Sequence, residues 1–188
     1  MLNKIKSYLK ELTIVTIGVL IALLVSNIKE NKEAKRYYDA SIETINTEVK
    51  SNYSSLKGVI EKQKNLQDTL MKYGNTSAGI GEIIAKSGGL KIAGLNNNGI
   101  DLYKRNEINR IDIEMMSNLN DMHNKSNVIS TKADRLVDFT YSNFVDNSKE
   151  NKTILFVHIR DILDTEESLL KVYKDYIDKN IIKNTIKN

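Results

Sequence analysis

The residues best suited to metal or acid–base chemistry in this chain are its two histidines, His123 and His158. His158 has Asp161 three positions further on, which is the only pairing of a histidine with a carboxylate at helical spacing. A metal site built on helices needs several such ligands at facing positions. One isolated pair is more typical of an exposed ion pair or hydrogen bond, so we predict no metal ligands.

The remaining nucleophiles and carboxylates lack the sequence context that catalysis requires. The chain has no cysteine, which excludes disulfides, thiolate zinc sites and a cysteine nucleophile. No serine lies in a G-x-S-x-G motif, and consecutive acids such as Glu166 and Glu167 point in different directions on a helix. We predict that the protein is not an enzyme, with no catalytic residue and no cofactor.

Seven of the nine glycines lie between residues 74 and 106, where a phosphate-binding loop has to be considered. The stretch GIGEIIAKSGG does not match G-x-x-x-x-G-K-[ST], because its Lys-Ser pair precedes the final glycines. The patch is more typical of an irregular crossover between helices. Residues 80–86 and 100–105 are predicted as short helices, the first stopped by the glycines at 88–89 and the second capped by an asparagine among 96–98.

The tyrosines are the other group that could line a ligand site. Most of them fall on helical stripes, which is typical of the amphipathic edge of a core, and a ligand cleft lined by tyrosines is the alternative. The residues concerned are Tyr37, Tyr38, Tyr53, Tyr73, Tyr103, Tyr141, Tyr173 and Tyr176.

Long helices must position all of these residues, and the first is predicted over residues 30–73. Apolar side chains recur there at alternating intervals of four and three, a heptad seam that only Asn52 and Gln63 interrupt. Such a seam fits a coiled-coil dimer whose buried asparagine fixes the register, or one helix of an antiparallel bundle. We favour the bundle, because the same chain supplies partner helices. The seam positions are Tyr38, Ile42, Ile45, Val49, Asn52, Leu56, Val59, Gln63, Leu66, Leu70 and Tyr73.

Two partner helices are predicted over residues 107–144 and 152–183. The polar segment 146–151 is predicted as the turn between them, with Ser148 suited to cap the second helix. The apolar stripe of the first contains Ile108, Ile111, Met115, Leu119, Met122, Ile129, Ala133, Leu136, Phe139 and Phe144. The stripe of the second contains Leu155, Ile159, Ile162, Leu163, Leu169, Leu170, Tyr173, Tyr176, Ile177 and Ile181.

Residues 12–28 form an uncharged, strongly apolar run at the start of the chain. At about 1.5 Å per residue the run spans roughly 25 Å, and a helical lead-in from about residue 3 extends it toward the ~30 Å of a hydrocarbon core. A soluble core helix usually carries polar residues on one side, and a cleaved signal peptide needs an A-x-A-like site, which we do not find. We therefore predict a basic tail or interfacial turn over 1–11, an uncleaved transmembrane helix over 12–28 and a helical domain over 29–188.

Charge does not fix the orientation of this helix, because basic residues flank both of its ends. A short tail inside and a long exported domain is the simpler arrangement, so we place the N-terminus in the cytoplasm. The net charge of +4 is spread thinly, since residues 29–188 carry 25 basic and 23 acidic groups. A nucleic acid is therefore not an expected partner.

One face of the apolar run carries Ile14, Gly18, Ala22 and Ser26, four residues apart. Small residues at this spacing let two membrane helices approach closely. The face predicts a homodimer or docking to a partner's membrane helix, although glycine and alanine are also ordinary constituents of membrane helices.

The apolar core from Ile14 to Leu23 follows the pattern I-x-x-x-G-[VI]-L-[IL]-A-L, with a charged exit and a long helix carrying Tyr37-Tyr38 after it. Over residues 10–50 the chain resembles an uncharacterised family of single-pass membrane proteins of Gram-negative bacteria, which has a domain of unknown function. A glycine-ended short helix, here 83–90, is a further family element, whereas the small-aromatic pair that follows it has no aromatic counterpart at 98–101. The resemblance implies an inner-membrane anchor and a periplasmic helical domain, and it implies no activity.

These observations predict an all-α protein: an N-terminal transmembrane helix that continues into an antiparallel bundle of three long helices and one or two short ones. The favoured function is a non-enzymatic, membrane-anchored scaffold or accessory subunit of a bacterial envelope complex. It would act through contacts with a protein partner or with further copies of itself. The alternatives are a sensor-like ligand-binding bundle that works with a partner, and a pore-forming or lytic protein.

Overall fold

The computed structural model describes residues 2–104 and 112–182, with the backbone alone for residues 2–5 and 7. Within these ranges the chain forms five α-helices and no strand. The helices are α1 (Leu2–Tyr73), α2 (Ile80–Lys86), α3 (Asn98–Lys104), α4 (Ile113–Ser142) and α5 (Lys149–Tyr176), followed by a π-helical segment (Ile177–Ile182). The predicted all-α class, with a long N-terminal helix that continues into a bundle, is confirmed.

Helix α1 is one unbroken helix of 72 residues, about 110 Å long at 1.5 Å per residue. No proline interrupts it, because the chain contains none. The helix leaves the apolar run at Ile28, and its first buried side chain is Ser41. About 20 Å of largely exposed, charged helix therefore separates the apolar run from the bundle.

The predicted seam of α1 is the side that packs into the bundle. Ile45, Leu56 and Leu66 are fully buried on it, and Tyr38 and Tyr73 pack against its two ends. The chain's own helices cover this side, so the seam belongs to an antiparallel bundle and not to a coiled coil between chains.

Helix α5 is the central helix, with its most extensive contacts to α4 on one side and α1 on the other. It runs antiparallel to α1: Tyr176 Oη donates to Asn46 Oδ1 at 3.0 Å, and further along the pair Lys64 Nζ donates to Glu167 Oε1 at 2.6 Å. Helix α4 returns in the opposite direction to α5. The predicted stripe residues from Leu155 to Tyr176 are buried between these neighbours, except Leu170, which is half-buried at the edge of the core.

The crossover from α2 to α3 runs back along α1 as an extended segment, residues 88–97. Polar side chains of α1 hold its backbone at intervals. The bonds, in order along the crossover, are Asn65 Nδ2 to Ser87 O at 2.9 Å, Gln63 Nε2 to Lys91 O at 3.0 Å, Asn52 Nδ2 to Asn96 O at 2.7 Å, Asn96 N–H to Asn52 Oδ1 at 3.0 Å and Gly99 N–H to Glu48 Oε2 at 2.8 Å. An extended chain can lie in a helical bundle only if its backbone groups find such partners.

The predicted ends of the short helix α2 are confirmed. Gly88 and Gly89 have φ of +89° and +96°, a conformation that costs glycine little and other residues much. The Gly89 N–H donates to Ile84 O at 2.9 Å and the Gly88 N–H to Ala85 O at 3.1 Å, which is the Schellman arrangement that ends a helix. Ser148 also caps as predicted, because its hydroxyl accepts from the Asn151 N–H.

Several predicted boundaries shift. Helix α4 begins at Ile113, directly after its Asp112 cap, and not at 107. Helix α5 begins at Lys149, directly after its Ser148 cap, and not at 152. Helix α4 ends at Ser142, where the Asn143 side-chain amide caps it by donating to Phe139 O at 2.8 Å, and Phe144 lies outside the helix and is exposed. Helix α3 begins at residue 98, two residues earlier than predicted. Ile108 and Ile111 lie outside the described residues, as do residues 183–188.

Candidate functional site

The apolar run of α1 is the largest feature that the fold leaves unexplained. Its large apolar side chains, together with Leu9 just before it, retain 50–64% of their accessible surface, and the described parts of the chain bury none of them. Folded proteins rarely expose a continuous apolar surface of this size unless it meets a membrane or another protein. Length and composition make this part of α1 sufficient to cross a membrane.

The threonine hydroxyls within the run form their hydrogen bonds with backbone carbonyls of α1 itself. Thr13 Oγ1 donates to Leu9 O at 2.8 Å, and Thr16 Oγ1 donates to Leu12 O at the same distance. Inside hydrocarbon no water is present to pair with a hydroxyl, so such internal bonds are what a membrane-spanning helix would need. The run therefore exposes methyl and methylene groups and very little free polarity.

The candidate packing face of Ile14, Gly18, Ala22 and Ser26 lies on this exposed segment. A Cβ added at Gly18 would meet nothing within 4 Å, so the position is open to a second helix. Ser26 Oγ donates to Glu30 Oε1 at 2.9 Å, which ties the end of the face to the charged exit. Whether a partner helix uses this face stays a prediction.

Inside the bundle, polar residues on the seams form two layers. In the first, Gln63 Nε2 on α1 donates to Glu166 Oε1 on α5 at 3.1 Å, in addition to its bond to the crossover. In the second, Asn52 Nδ2 lies 3.3 Å from Tyr173 Oη, which lies 3.3 Å from Ser126 Oγ on α4. Each layer therefore joins α1 to α5, and the second also reaches α4.

Glu166 is the most perturbed acid of the bundle. It has no exposed surface, and burial raises its pKa to about 7, against a smaller opposing effect of the hydrogen bond from Gln63. Within the described ranges, Glu166 Oε2 and Gln63 Oε1 are buried oxygens without a hydrogen-bond partner. A proton on Glu166 removes the buried charge and gives the unpaired Oε2 a hydrogen to donate.

The structure gives the two members of the only histidine–carboxylate pair that the sequence offered different partners. Asp161 accepts a 2.7 Å bond from Lys132 Nζ on α4, while the ring of His158 packs against Phe139 at a centroid distance of 5.3 Å. His123 is half-buried elsewhere on α4. Across residues 2–104 and 112–182, no group of three or more such side chains is arranged to hold a metal ion.

The tyrosines divide between core and surface. Tyr103, Tyr173 and Tyr176 are buried, whereas Tyr37 and Tyr141 are exposed. Burial raises the pKa of Tyr176 to about 12, so it stays protonated and acts as a hydrogen-bond donor. For these three residues the core prediction is confirmed.

The end of the bundle nearer the apolar run contains an open cavity of about 570 Å³ between α1, α5 and the start of α4. Tyr38 and Tyr176 line it, together with the carboxylates of Asp39, Glu43 and Asp112. This is the place where the alternative of a tyrosine-lined ligand cleft finds some support.

Sequence reasoning missed Glu166 and Lys152 as buried residues. Both occupy positions on the α5 seam, where 152, 155, 159, 162, 166, 169, 173 and 176 alternate by three and four. The rule that marked Asn52 and Gln63 as seam residues applies equally to them. The sequence therefore contained the signal for both residues, because a polar residue at a heptad position indicates a buried polar contact as well as a break in the apolar stripe.

Comparison of the chain with protein-family models, with curated proteins and with solved structures finds no match.

Proposed function

We propose that this protein is a non-enzymatic scaffold or accessory subunit of a bacterial envelope complex, anchored in the inner membrane by the apolar run of α1. The observation that carries the proposal is the contrast along this one helix. Residues 9–28 leave every apolar side chain exposed, while residues 41–73 are packed into a complete bundle. The chain thus buries the apolar side chains of its bundle by itself and leaves the apolar surface of residues 9–28 to contact lipid.

The proposed topology has the N-terminus in the cytoplasm and the bundle in the periplasm. The resemblance over residues 10–50 to single-pass proteins of Gram-negative bacteria supports the same arrangement. Because α1 is continuous from anchor to bundle, a displacement of the bundle would be passed directly to the membrane helix.

The scaffold role is supported by how the polar groups of the bundle are used. Asn52, Gln63 and Lys132 bind other elements of the same fold, so their contacts serve packing. The partner would be a membrane protein that docks on the bundle surface or on the Gly18 face, or a second copy of this chain.

The proposal is tested by expressing the full-length chain in a Gram-negative host and washing its membranes with carbonate. We expect the protein to stay with the membrane at full length and its bundle to be digested by protease only after the outer membrane is opened. Native mass spectrometry after gentle detergent extraction would then report copy number and bound partners. Release of the unprocessed protein by carbonate, or protection of the bundle inside spheroplasts, would contradict the anchor or its orientation.

A sensor-like bundle is the second candidate, and the cavity beside Tyr38 and Tyr176 is what favours it. In this case a small molecule would occupy the membrane-proximal cavity and shift α1 against α5. Retention of such a molecule through extraction, visible as added mass in the same native spectra, separates this function from the scaffold.

A further inference from the structure

Lys152 is a buried cation that belongs neither to the apolar run nor to the two polar layers of the bundle. It lies in the first turn of α5 with 3% of its surface exposed, and its Nζ donates to Thr76 O at 2.7 Å. Over the described parts of the chain, residues 2–104 and 112–182, no carboxylate lies within 4 Å of this ammonium group. Buried charges in proteins are normally paired with an opposite charge, and Lys152 is not.

Two carboxylates in the neighbourhood are engaged by other groups. Lys86 holds Glu82, and its hydrogen bond is the main cause of the lowered pKa of that acid. Asp146 accepts from the Ser148 N–H at 2.6 Å, and its bonds with Ser148 are the main cause of its own lowered pKa. Lys152 makes only a minor, longer-range contribution to both shifts.

An open cavity of about 240 Å³ lies beside Lys152, where α1 ends and α5 begins. Its charged lining consists of Lys149 and Lys152, with no acid among the lining residues. Leu70, Met71 and Phe156 form an apolar wall. The cavity thus combines two positive charges, one of them buried, with a hydrophobic surface.

We propose that this cavity binds a small amphiphilic carboxylate. The carboxylate accepts hydrogen bonds from Lys152 Nζ and is attracted by Lys149, while its short hydrocarbon tail lies against Met71 and Phe156. An organic cation would be repelled by both lysines, and an inorganic anion would leave the apolar wall uncovered. This inference is independent of the anchor, because the cavity is at the opposite end of α1.

The experiment uses the full-length chain in lipid nanodiscs, with ¹³C-methyl methionine labels and hexanoate as the probe. Met71 lies in the cavity, whereas Met115, Met116 and Met122 lie on α4 toward the other end of the bundle and serve as internal references. We expect hexanoate to shift the Met71 methyl resonance saturably and to leave the α4 methionines unchanged. Hexanamide, which has the same tail and no charge, should bind about tenfold more weakly or worse, because hydrogen bonds to charged groups are the stronger ones.

Three lysine variants test whether Lys152 binds the carboxylate of hexanoate. Lys152→Met should weaken hexanoate binding by about tenfold or more, Lys152→Arg should retain most of it, and Lys171→Met, an exposed lysine elsewhere on α5, should not change it. Equal shifts with hexanoate and hexanamide would show simple apolar partition and overturn the proposal. So would unchanged binding in Lys152→Met, an unshifted Met71, or inorganic phosphate that binds as tightly as hexanoate.

Discussion

The two ends of α1 carry similar apolar side chains and place them in opposite surroundings. Leu20, in the apolar run, retains 54% of its surface, whereas Leu56, in the bundle, retains none. The helix that carries them is the same, so neither helix propensity nor composition explains the difference. What differs is whether the chain supplies a neighbour, and for residues 9–28 its described parts supply none. The comparison teaches that the bundle packs without the apolar run, and that the apolar run needs surroundings that the described chain does not provide.

The strongest test of this comparison makes the same substitution at both ends. Leu56→Ala removes a fully buried side chain and should lower the free energy of unfolding of the bundle by about 2–5 kcal/mol. Leu20→Ala should leave that free energy unchanged. Urea unfolding of the full-length chain in nanodiscs, followed by tyrosine fluorescence, measures both values. An equal loss for the two variants would mean that Leu20 packs against the bundle or a copy of it.

An introduced charge should affect the two ends of α1 in the opposite order, because it should impair membrane integration at Leu20 and leave it unchanged in the bundle. Leu20→Arg places a cation at the centre of the apolar run, at a cost of about 2.5–3.5 kcal/mol for membrane insertion. We expect a clear loss of membrane-integrated protein in a carbonate wash. Glu61→Arg, on the exposed face of the bundle part of α1, is the matched control and should integrate normally. A membrane fraction that Leu20→Arg does not reduce would argue against lipid contact at this position.

The buried acid of the bundle makes its stability depend on pH. The pKa of Glu166 is raised from 4.5 to about 7 in the folded protein, so the folded state binds the proton more tightly than the unfolded state. The stabilisation is therefore complete below pH ~4.5 and is lost as the pH rises through ~7, by about 3 kcal/mol in all.

Two neighbouring substitutions isolate this effect. Glu166→Gln should flatten the pH dependence between 4.5 and 7 in urea unfolding. Glu167→Gln, which removes the carboxylate of an exposed ion pair with Lys64, should retain the wild-type dependence of stability on pH. A Glu166→Gln profile that still falls by about 3 kcal/mol over this range would show that another group is responsible.

The smallest expected effect comes from the two glycines of α1. An added Cβ at Gly18 or Gly58 would meet nothing within 4 Å, and alanine is the better helix former by about 0.5–1 kcal/mol. Gly58→Ala should stabilise the bundle by about that amount in urea unfolding. Gly18→Ala should leave bundle stability unchanged and, if two anchors pack through this face, should weaken the dimer seen in native mass spectrometry. Destabilisation by Gly58→Ala would reveal a close neighbour at this position.

Much of this fold could be predicted from periodicity. The seam from Tyr38 to Tyr73 is the buried side of α1, and the Ser148 cap and the glycines at 88–89 end their helices as their chemistry dictates. These features are local, so the sequence around them is enough to specify them.

The polar interior could not be derived in the same way. Asn52 was visible as a polar seam residue, but its partner Asn96 lies 44 residues further along the chain, and only the path of the crossover brings them together. Glu166 occupies a heptad position of α5, so periodicity indicates its burial, but its partner Gln63 lies 103 residues earlier in the chain. The cavity at Lys152 is lined by two segments, residues 70–75 and 149–156, which no spacing rule connects.

The most direct measurement uses the absence of cysteine from the chain, which permits single spin labels without background. A label at Ile21→Cys and one at Glu61→Cys, in full-length protein in nanodiscs, report collisions with oxygen and with a water-soluble nickel chelate. If the apolar run faces lipid, the label at 21 collides mainly with oxygen and the label at 61 mainly with nickel. Ready access of nickel to both positions would contradict the membrane anchor.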